Sequence, residues 1–394
     1  MVAEARPPTD PPVPEPGPAP RPAADPRPAL LGLPRQRLAE RLAPVVDRPF
    51  RVGQVYDALH RRGVADFASM TELSRELRDE LDRRFRVGQP EIVERRPAAD
   101  GTTKYLLRLA DGATVEAVDI PAPRAATPGE RHTLCISSQA GCALACAFCV
   151  TGFWGAGRNL TAGEIVGQVL AAAPRLEGRG RELPESLNIV FMGMGEPLLN
   201  LAAVRDALEI LTERISWRRI TVSTSGIVPG IEEMARWERR PNLAISLHAA
   251  DDALRTRIMP INRTWPLADL LAALERYPLE KGRRITIEYI LIRGLNDAPE
   301  QADLLARRLA RFPAKVNLIP INPDPVLGAA MVPPEPAAVD AFHRRLKQRG
   351  LVSTVRQPRG DDVSAACGQL RAFGRDPKGF RGRSLGAGFQ GAAE

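Results

Sequence analysis

Apolar residues between Leu31 and about Phe85 recur three and four positions apart, with charged residues between them. Three stretches show this spacing most clearly, and they read "LPRQRLAERLA", "RVGQVYDALHRRG" and "SRELRDELDRRF". A stripe of apolar side chains at this spacing is typical of an amphipathic helix that packs one face on a core. The pattern predicts a small helical accessory domain over residues 31–90.

The next segment changes from a helical period to alternation. In "EIVERRPAADGTTKYLLRLADGATVEAVDIP" apolar and polar residues alternate, and the alternation breaks at two Ala-Asp-Gly turns. Alternating side chains bounded by Asp-Gly turns indicate short antiparallel strands. We therefore expect a β meander over residues 91–125, leading into the rest of the chain.

From residue 126 onward, apolar strand-like runs alternate with amphipathic helical segments. The runs are "LNIVFMGMG", "RITVSTSG", "NLAISLHA", "RITIEYILI" and "KVNLIPINP". Repeated strand–helix units predict an α/β fold with a parallel sheet. With about six units, a parallel barrel or part of one is favoured over an open doubly wound sheet, although periodicity alone does not separate the two. The barrel domain is predicted to span residues 126–370.

Polar or glycine residues follow several of these runs, at residues 193–196, 223–226 and 246–248 and at Asn322. In parallel barrels the carboxyl ends of the strands lie at one edge, where active sites are built. The sequence therefore directs attention to that edge.

Both termini differ from the regions between them. The first thirty residues contain eleven prolines, which removes backbone donors and leaves little to pack, so residues 1–30 are predicted to form a disordered tail. Residues 371–394 carry "RAFGRDPKGFRGR" and are expected to form a basic, flexible tail.

Charge and composition narrow the setting. A formal net charge of +8 and a pI of about 9.6 would suit a polyanionic partner such as nucleic acid. No run approaches the roughly 18–20 apolar residues needed to cross a bilayer, and the amino terminus does not resemble a secretory signal. We expect a cytoplasmic protein without a membrane partner.

Four of the five cysteines lie within fifteen residues, in "CISSQAGCALACAFC". Cys142, Cys146 and Cys149 have the spacing C-x3-C-x2-C, which allows one loop to hold three thiolates around one corner of an iron–sulfur cluster. A structural zinc site is the alternative, and His132 would be its fourth ligand, but such sites usually use two separated pairs of ligands. The spacing favours the cluster.

The same loop resembles the radical S-adenosylmethionine superfamily, because the C-x3-C-x2-C motif follows the first predicted barrel strand and Phe148 precedes its last cysteine. The resemblance implies a partial (β/α)6 barrel. It also implies a [4Fe-4S] cluster whose open iron binds S-adenosylmethionine, which is cleaved to a 5'-deoxyadenosyl radical. The "GMGEPLLN" segment, with Gly195 and Glu196, is similar to the superfamily element that binds the amino group of this cofactor.

Four further segments, "VSTSG", "ISLHA", "LIPINP" and "RGDDVSAACGQL", resemble one family within that superfamily, the RlmN RNA methyltransferases. The resemblance spans about Leu31 to Leu370. It implies methylation of C2 of an adenosine in 23S ribosomal RNA at the peptidyl transferase centre and, in some members, in the transfer RNA anticodon loop. The residues implied to line the cofactor site are Gly195, Glu196, Ser223, Ser246, Leu247, His248 and Asn322.

The resemblance also implies roles for two cysteines outside the cluster motif. Adenine C2 has no lone pair to attack a sulfonium methyl group, so a radical has to reach this carbon. One molecule of S-adenosylmethionine cannot supply both the methyl group and the radical, so a methyl carrier is required. By resemblance Cys367 is that carrier, Cys135 is the thiol that later forms a disulfide with it, and Glu116 accepts the C2 proton. Two molecules of S-adenosylmethionine would be used per turnover.

Two alternatives remain open at this level. The first is methylation of adenine C8 with the same cluster and carrier cysteine, as in antibiotic-resistance enzymes. The second is a non-catalytic iron–sulfur protein that binds RNA. The family resemblance also leads us to expect a flavodoxin-type electron donor and a monomeric protein, with arginines of the helical domain and of the basic tail contacting RNA phosphates.

Overall fold

The computed structural model describes residues 25–122, 132–172 and 186–370. Residues 1–24, which are most of the proline-rich segment, and the basic segment 371–394 lie outside the described residues. Packed structure begins just before Leu31, since Leu30 is fully buried and Ala29 forms a parallel β-bridge with Arg86.

The accessory domain contains three helices at the predicted positions. They are α1 (Arg35–Leu42), α2 (Pro49–His60) and α3 (Arg75–Arg84). Helix α3 begins where the Ser74 side chain accepts a hydrogen bond from the Leu77 N–H group, as an N-cap does. The apolar stripe of each helix is buried, with Leu38, Leu59 and Leu81 fully excluded from solvent.

This domain packs backbone to backbone on the first helix that follows the cysteine loop, α4 (Ala162–Ala172). Gly32 has a positive φ of 86°, and a Cβ added to Gly163 would lie 2.2 Å from the Leu31 carbonyl oxygen. The Gly32 N–H group donates a 3.0 Å hydrogen bond to His60 Nε2. Glycine at both positions is therefore what allows the accessory domain to approach α4 this closely.

The strands form one continuous sheet in sequence order from β1 to β10. They are β1 (Glu91–Pro97), β2 (Thr103–Arg108), β3 (Thr114–Pro121), β4 (His132–Cys135), β5 (Asn188–Phe191), β6 (Ile220–Thr224), β7 (Asn242–Ser246), β8 (Ile285–Leu291), β9 (Ala314–Pro320) and β10 (Val352–Val355). Strands β1 to β4 pair antiparallel, whereas β4 to β10 pair parallel. The predicted meander is thus hydrogen-bonded directly to the first parallel strand.

Helices connect the parallel strands. They are α4, α5 (Leu201–Leu211), α6 (Val228–Ala235), α7 (Asp252–Ile258), α8 (Leu267–Arg276), α9 (Pro299–Leu309) and α10 (Pro336–Gln348). Within the described ranges no pairing closes β10 onto β4, so the sheet is an open, partial barrel. The predicted α/β class and partial barrel are confirmed, and β10 adds a seventh parallel strand that the sequence pattern did not single out.

The core lies between this sheet and its helices, with fully buried residues such as Ile189, Ile245, Ile287 and Val316. No helix in the part of the chain that the structure describes is long and apolar enough to cross a membrane. The carboxyl ends of β4 to β9 lie at one edge, and the polar residues noted above are found there.

Candidate active site

The cysteine loop follows β4, and backbone hydrogen bonds hold its conformation. The Cys142 N–H group donates to the Gly155 carbonyl at 3.0 Å, and the Ala147 N–H group donates to the Ile258 carbonyl at 2.9 Å. The second bond fastens the loop to the end of α7. As a result, the side chains of Cys142, Cys146 and Cys149 line one cavity.

This cavity is open to solvent and has about 870 Å³ of empty space. Five of the seven residues predicted to contact the cofactor line it together with the three cysteines, namely Gly195, Glu196, Ser223, Ser246 and His248. Leu247 is not on its wall, since it is buried and donates its N–H to the Glu288 carbonyl at 3.1 Å. Asn322 lines a neighbouring cavity instead.

Gly195 and Glu196 are held close to the first barrel strand. Gly195 has a φ of 94°, and a Cβ there would lie 2.4 Å from Gln139 Cβ. The Glu196 carboxylate accepts hydrogen bonds from the Leu198 N–H at 3.0 Å and from the Ser225 N–H and hydroxyl, each at 2.8 Å. Burial raises the pKa of Glu196, while these donors oppose the rise. The carboxylate is thereby fixed at the cavity wall.

His248 adopts the left-handed region with a φ of 60°, which turns the ring toward the cysteine loop. Its Nδ1 accepts a 3.0 Å hydrogen bond from the Ile290 N–H group, and the ring meets Phe148 edge-on at 4.5 Å between centroids. Burial lowers the pKa of His248 to about 3, so the ring is neutral at physiological pH. Because Nδ1 accepts a bond, the proton of the neutral ring is on Nε2.

The donor set of the three cysteines suits a cubane cluster. Burial raises the pKa of Cys142 to about 12 and that of Cys146 well above its usual value, so these thiols lose their protons when iron binds. The described residues hold no group of three His, Cys, Asp or Glu side chains that could bind a single metal ion together. A [4Fe-4S] cluster uses its thiolates on different irons, so its ligands stand farther apart than those of one ion. His132 lies outside this cavity, with its Nδ1 2.9 Å from Asp119 Oδ1.

Cys367 borders the cavity of the three cysteines and also a second, adjoining cavity that Cys135 lines. The loop bearing Cys367 is tied to the cysteine loop, because the Val150 N–H donates to the Gly368 carbonyl at 2.7 Å and the Thr151 hydroxyl donates to the Leu370 carbonyl at 2.8 Å. Cys135 and Cys367 are both free thiols. Tertiary structure therefore brings Cys367 next to Cys135 on one side and next to the three cysteines of the loop on the other.

Two polar side chains complete the surroundings of Cys367. Asn322 donates a 3.3 Å hydrogen bond from Nδ2 to the Cys367 carbonyl, so it contacts the loop that bears Cys367. Arg356 lines both cavities. The proximity of Cys367 raises the pKa of Arg356, and burial raises the pKa of Cys135 to about 12.

Glu116 lies beside this region but lines neither cavity. Val118 of β3 is paired with Cys135 of β4 in the sheet. Glu116 is two residues before Val118 and therefore points to the same face. Because the two strands are antiparallel, Glu116 lies nearer than Cys135 to the edge where the carboxyl ends of the parallel strands meet. The Ser137 hydroxyl donates to the Glu116 carbonyl oxygen at 2.6 Å. The Glu116 carboxylate is fully buried and forms an ion pair with Lys104.

Four charged residues near the site were not anticipated from the sequence: Lys104, Arg255, Glu288 and Arg356. The signal for Glu288 was a single charge within the apolar run "ITIEYIL". Lys104 stands inside a short strand, where a charged residue is expected to face solvent. No local pattern distinguishes Arg255 or Arg356, because their surroundings depend on loops that are distant in sequence.

Comparison with protein families gives two matches to this chain. Residues 136–306 match the radical SAM superfamily, and residues 29–87 match the ribosomal RNA large subunit methyltransferase N-terminal domain. The first match covers the cysteine loop and most of the barrel. The second covers the helical accessory domain.

Individual relatives resemble nearly the whole chain. A protein of Anaeromyxobacter dehalogenans (strain 2CP-C), named dual-specificity RNA methyltransferase RlmN, is 47% identical over 88% of this chain and 92% of its own. A protein of the same name from Halorhodospira halophila (strain DSM 244 / SL1) is 48% identical over 89% of this chain and 95% of its own.

Among solved structures, a radical SAM methyltransferase from Sphaerobacter thermophilus is 44% identical to this chain. It superposes with a TM-score of 0.81 over 87% of this chain and 99% of that one. The similarity therefore extends from sequence to tertiary structure.

Proposed function

The chain belongs to the RlmN family of radical S-adenosylmethionine methyltransferases, and on that premise we propose that it methylates C2 of an adenosine in 23S ribosomal RNA and in transfer RNA. The observation that carries the proposal is the position of Cys367, which shares one cavity with Cys142, Cys146 and Cys149 and another with Cys135. A binding protein without catalysis has no need of that arrangement.

Cys142, Cys146 and Cys149 would hold a [4Fe-4S] cluster, which supplies reductive cleavage of S-adenosylmethionine when bound. Glu196, Ser223 and Ser246 line the same cavity as these thiols and would contact the cofactor there. The neutral imidazole of His248, with its proton on Nε2, adds no charge to this wall. These residues bind and orient the cofactor beside the cysteine loop.

Cys367 would accept the methyl group of one cofactor molecule, with a new sulfur–carbon bond forming as the sulfonium–carbon bond breaks. When the cofactor is cleaved, its 5'-deoxyadenosyl group would take one hydrogen atom from the S-methyl group, and the methyl carbon would then bond to adenine C2. Glu116 would accept the C2 proton, and the remaining unpaired electron would return to the cluster. The Cys135 thiolate would attack the Cys367 sulfur and form a disulfide, while the carbon released from that sulfur takes up a proton to give the methylated base. A cellular thiol would have to reduce that disulfide before the next turnover.

The RNA would approach from the carboxyl edge, with the target base unstacked into the cavity. Most arginines of the accessory domain pair with carboxylates, as Arg35 does with Glu213 at 3.1 Å, so the side chains free to meet phosphates are fewer than the composition suggests. Phe50 is 56% exposed at the start of α2, and the Arg51 guanidinium lies 5.4 Å from its ring centroid. An exposed aromatic ring beside a cation is suited to stacking an RNA base.

We further propose that the protein works as a cytoplasmic monomer that receives electrons from a flavodoxin-type donor. The test of function is anaerobic reconstitution with iron and sulfide, followed by incubation with S-adenosylmethionine, reductant and 23S ribosomal RNA or transfer RNA. We expect 5'-deoxyadenosine and 2-methyladenosine, identified by mass spectrometry of digested RNA. Formation of 8-methyladenosine, or a reconstituted protein that cleaves no cofactor, would contradict the proposal.

Two variants assign the cysteines. Cys142→Ala is expected to lose the iron and the charge-transfer absorbance of the cluster. Cys367→Ala is expected to keep both and to lose RNA methylation. The exposed Lys281 provides a matched surface control, since Lys281→Met should keep iron, absorbance and methylation.

A further inference from the structure

Lys104 is a buried lysine in the second strand of the meander, with 3% of its side chain exposed. In the sheet it is paired with Val118, so it shares a face with Glu116 on β3 and with Cys135 on β4. A lysine at such a position requires partners for its ammonium group, because a buried charge without them is strongly disfavoured.

The ammonium group has two partners that belong to different parts of the site. Its Nζ lies 3.1 Å from Glu116 Oε1, and 1% of the Glu116 side chain is exposed. The same Nζ donates a 3.1 Å hydrogen bond to the carbonyl oxygen of Ser364. Ser364 precedes Cys367 by three residues and has a left-handed φ of 50°, so this carbonyl lies within the loop that carries the methyl-accepting thiol.

Weaker contacts at the rim hold the same loop to the same turn of the meander. The Gly360 N–H donates to Asp100 Oδ2 at 3.2 Å, and the Ala99 N–H donates to Asp362 Oδ2 at 3.0 Å. Asp100 and Asp362 are exposed, and contacts of exposed charged groups contribute little. The side chain of Lys104 is buried, and it contacts Glu116 as well as the loop.

We propose that Lys104 is a positioning residue that sets the Cys367 loop and the Glu116 carboxylate relative to each other. A single ammonium group that forms an ion pair with Glu116 and a hydrogen bond with Ser364 fixes the distance between the methyl carrier and the group that accepts the C2 proton. The inference rests on the proposed function for the roles of Glu116 and Cys367, whereas the anchoring of the loop is a property of the protein alone.

Four variants separate these effects. Lys104→Met keeps an unbranched side chain that is one atom shorter, and it removes the ion pair with Glu116 and the hydrogen bond to Ser364. Lys104→Arg keeps the charge. Glu116→Gln keeps the bond from Lys104 to Ser364, and the exposed Lys281→Met is the surface control.

The first measurement is the alkylation rate of Cys367 in the protein without its cluster, followed by peptide mass spectrometry. We expect Lys104→Met to react roughly tenfold faster than wild type, because a loop that is held less firmly exposes its partly buried thiol more often. Glu116→Gln and Lys281→Met should react at the wild-type rate, and Lys104→Arg should lie between. A folded Lys104→Met protein whose Cys367 reacts at the wild-type rate overturns the proposal.

The second measurement uses the reconstituted protein. Lys104→Met should be slow in methylating Cys367 and should also accumulate the covalent protein–RNA adduct, whereas Glu116→Gln should show only the adduct. Normal methylation of Cys367 in Lys104→Met contradicts the shared positioning. If wild type forms no S-methylcysteine, the proposed function fails, and the alkylation rates still decide the role of Lys104.

Should Lys104→Met not fold, Lys104→Met/Glu116→Gln replaces it, since this double variant leaves no unpaired buried carboxylate. It is compared with Glu116→Gln alone. Faster alkylation of Cys367 in the double variant supports the anchoring role, and equal rates overturn it.

Discussion

Arg255 donates a 2.6 Å hydrogen bond from Nη2 to the carbonyl oxygen of Ser225, and its side chain is completely buried. Its Nε also donates to the Leu247 carbonyl at 3.2 Å, and its Nη1 donates to Asn262 Oδ1 at 2.8 Å. Ser225 and Leu247 immediately follow β6 and β7, so one guanidinium braces two neighbouring strand ends at the cavity. Burial lowers the pKa of Arg255 to about 10, which leaves it charged at physiological pH.

Substitution Arg255→Met should therefore loosen both strand ends. Each buried acceptor left without a donor costs about 1–3 kcal/mol, so we expect the free energy of unfolding to fall by at least about 3 kcal/mol. Affinity for S-adenosylmethionine should fall as well, because Ser223 and Ser246 are displaced. Urea unfolding and calorimetric titration measure the two effects. A folded variant with wild-type affinity would argue against the bracing role.

One carboxylate oxygen of Glu288, Oε2, accepts no hydrogen bond from the residues that the structure describes. Oε1 accepts a 3.0 Å hydrogen bond from Asn317 Nδ2, whereas Oε2 is buried and has no hydrogen-bond partner within the described ranges, at the cavity wall beside Ser246. Burial raises the pKa of Glu288. We expect Glu288→Gln to weaken binding of the cofactor or the target adenosine by about 1.5–3 kcal/mol, the range for a hydrogen bond to a charged group.

Two measurements identify whether the cofactor or the target adenosine supplies a donor to Oε2. Binding of S-adenosylmethionine is measured first, and methylation of RNA at saturating cofactor is measured second. The exposed Glu209→Gln serves as the control for loss of a surface charge. A Glu288→Gln protein that equals wild type in both measurements would show that Oε2 meets no ligand.

A substitution at Phe50 tests whether RNA contacts the accessory domain. The exposed Phe50 ring next to Arg51 is expected to stack on a base, so Phe50→Ala should weaken RNA binding by about 1–3 kcal/mol without changing the salt dependence. Folding should be unaffected, since the ring contributes little to the core. Fluorescence anisotropy with a labelled RNA at two salt concentrations measures both quantities. Unchanged affinity would exclude this ring from the RNA interface.

His60 makes the accessory domain sensitive to acid. Burial lowers the pKa of His60 to about 4, and Nε2 accepts the hydrogen bond from the Gly32 N–H group. The folded state thus resists protonation that the unfolded chain accepts at about pH 6.5. The neutral His60 ring therefore costs the folded state no free energy above pH 6.5. The free energy of unfolding decreases as the pH falls from 6.5 toward 4, because the unfolded chain then binds a proton that the folded protein does not. The loss amounts to about 3 kcal/mol for a shift of this size.

The variant His60→Gln can still accept a hydrogen bond from Gly32, and it does not titrate. Between pH 6.5 and 4 its free energy of unfolding should fall by about 3 kcal/mol less than that of wild type, because the other titrating groups are the same in both proteins. Denaturant unfolding at a series of pH values measures the difference. Parallel curves for the two proteins would show that His60 is not the titrating group.

Local sequence patterns predicted most of the secondary structure of this protein. The helical spacing predicted α1 to α3, alternation predicted the meander, and the strand–helix repeats predicted the partial barrel, because each depends on which face of a short segment is apolar. The spacing of Cys142, Cys146 and Cys149 is local too. Five of the seven residues assigned to the cofactor by motif lie on the cavity with those thiols.

Long-range contacts decided the rest. The bond from Lys104 to Ser364 joins residues 260 positions apart, and that from Arg255 to Ser225 joins residues 30 apart. Such pairs follow from the way the open sheet curves and from the loops that close over its edge, and no periodicity within either segment encodes them. The sequence by itself determined which elements form and which thiols are available. Only tertiary structure decided that Cys367 lies beside them, since that position depends on bonds from one loop to two others that are distant in the chain.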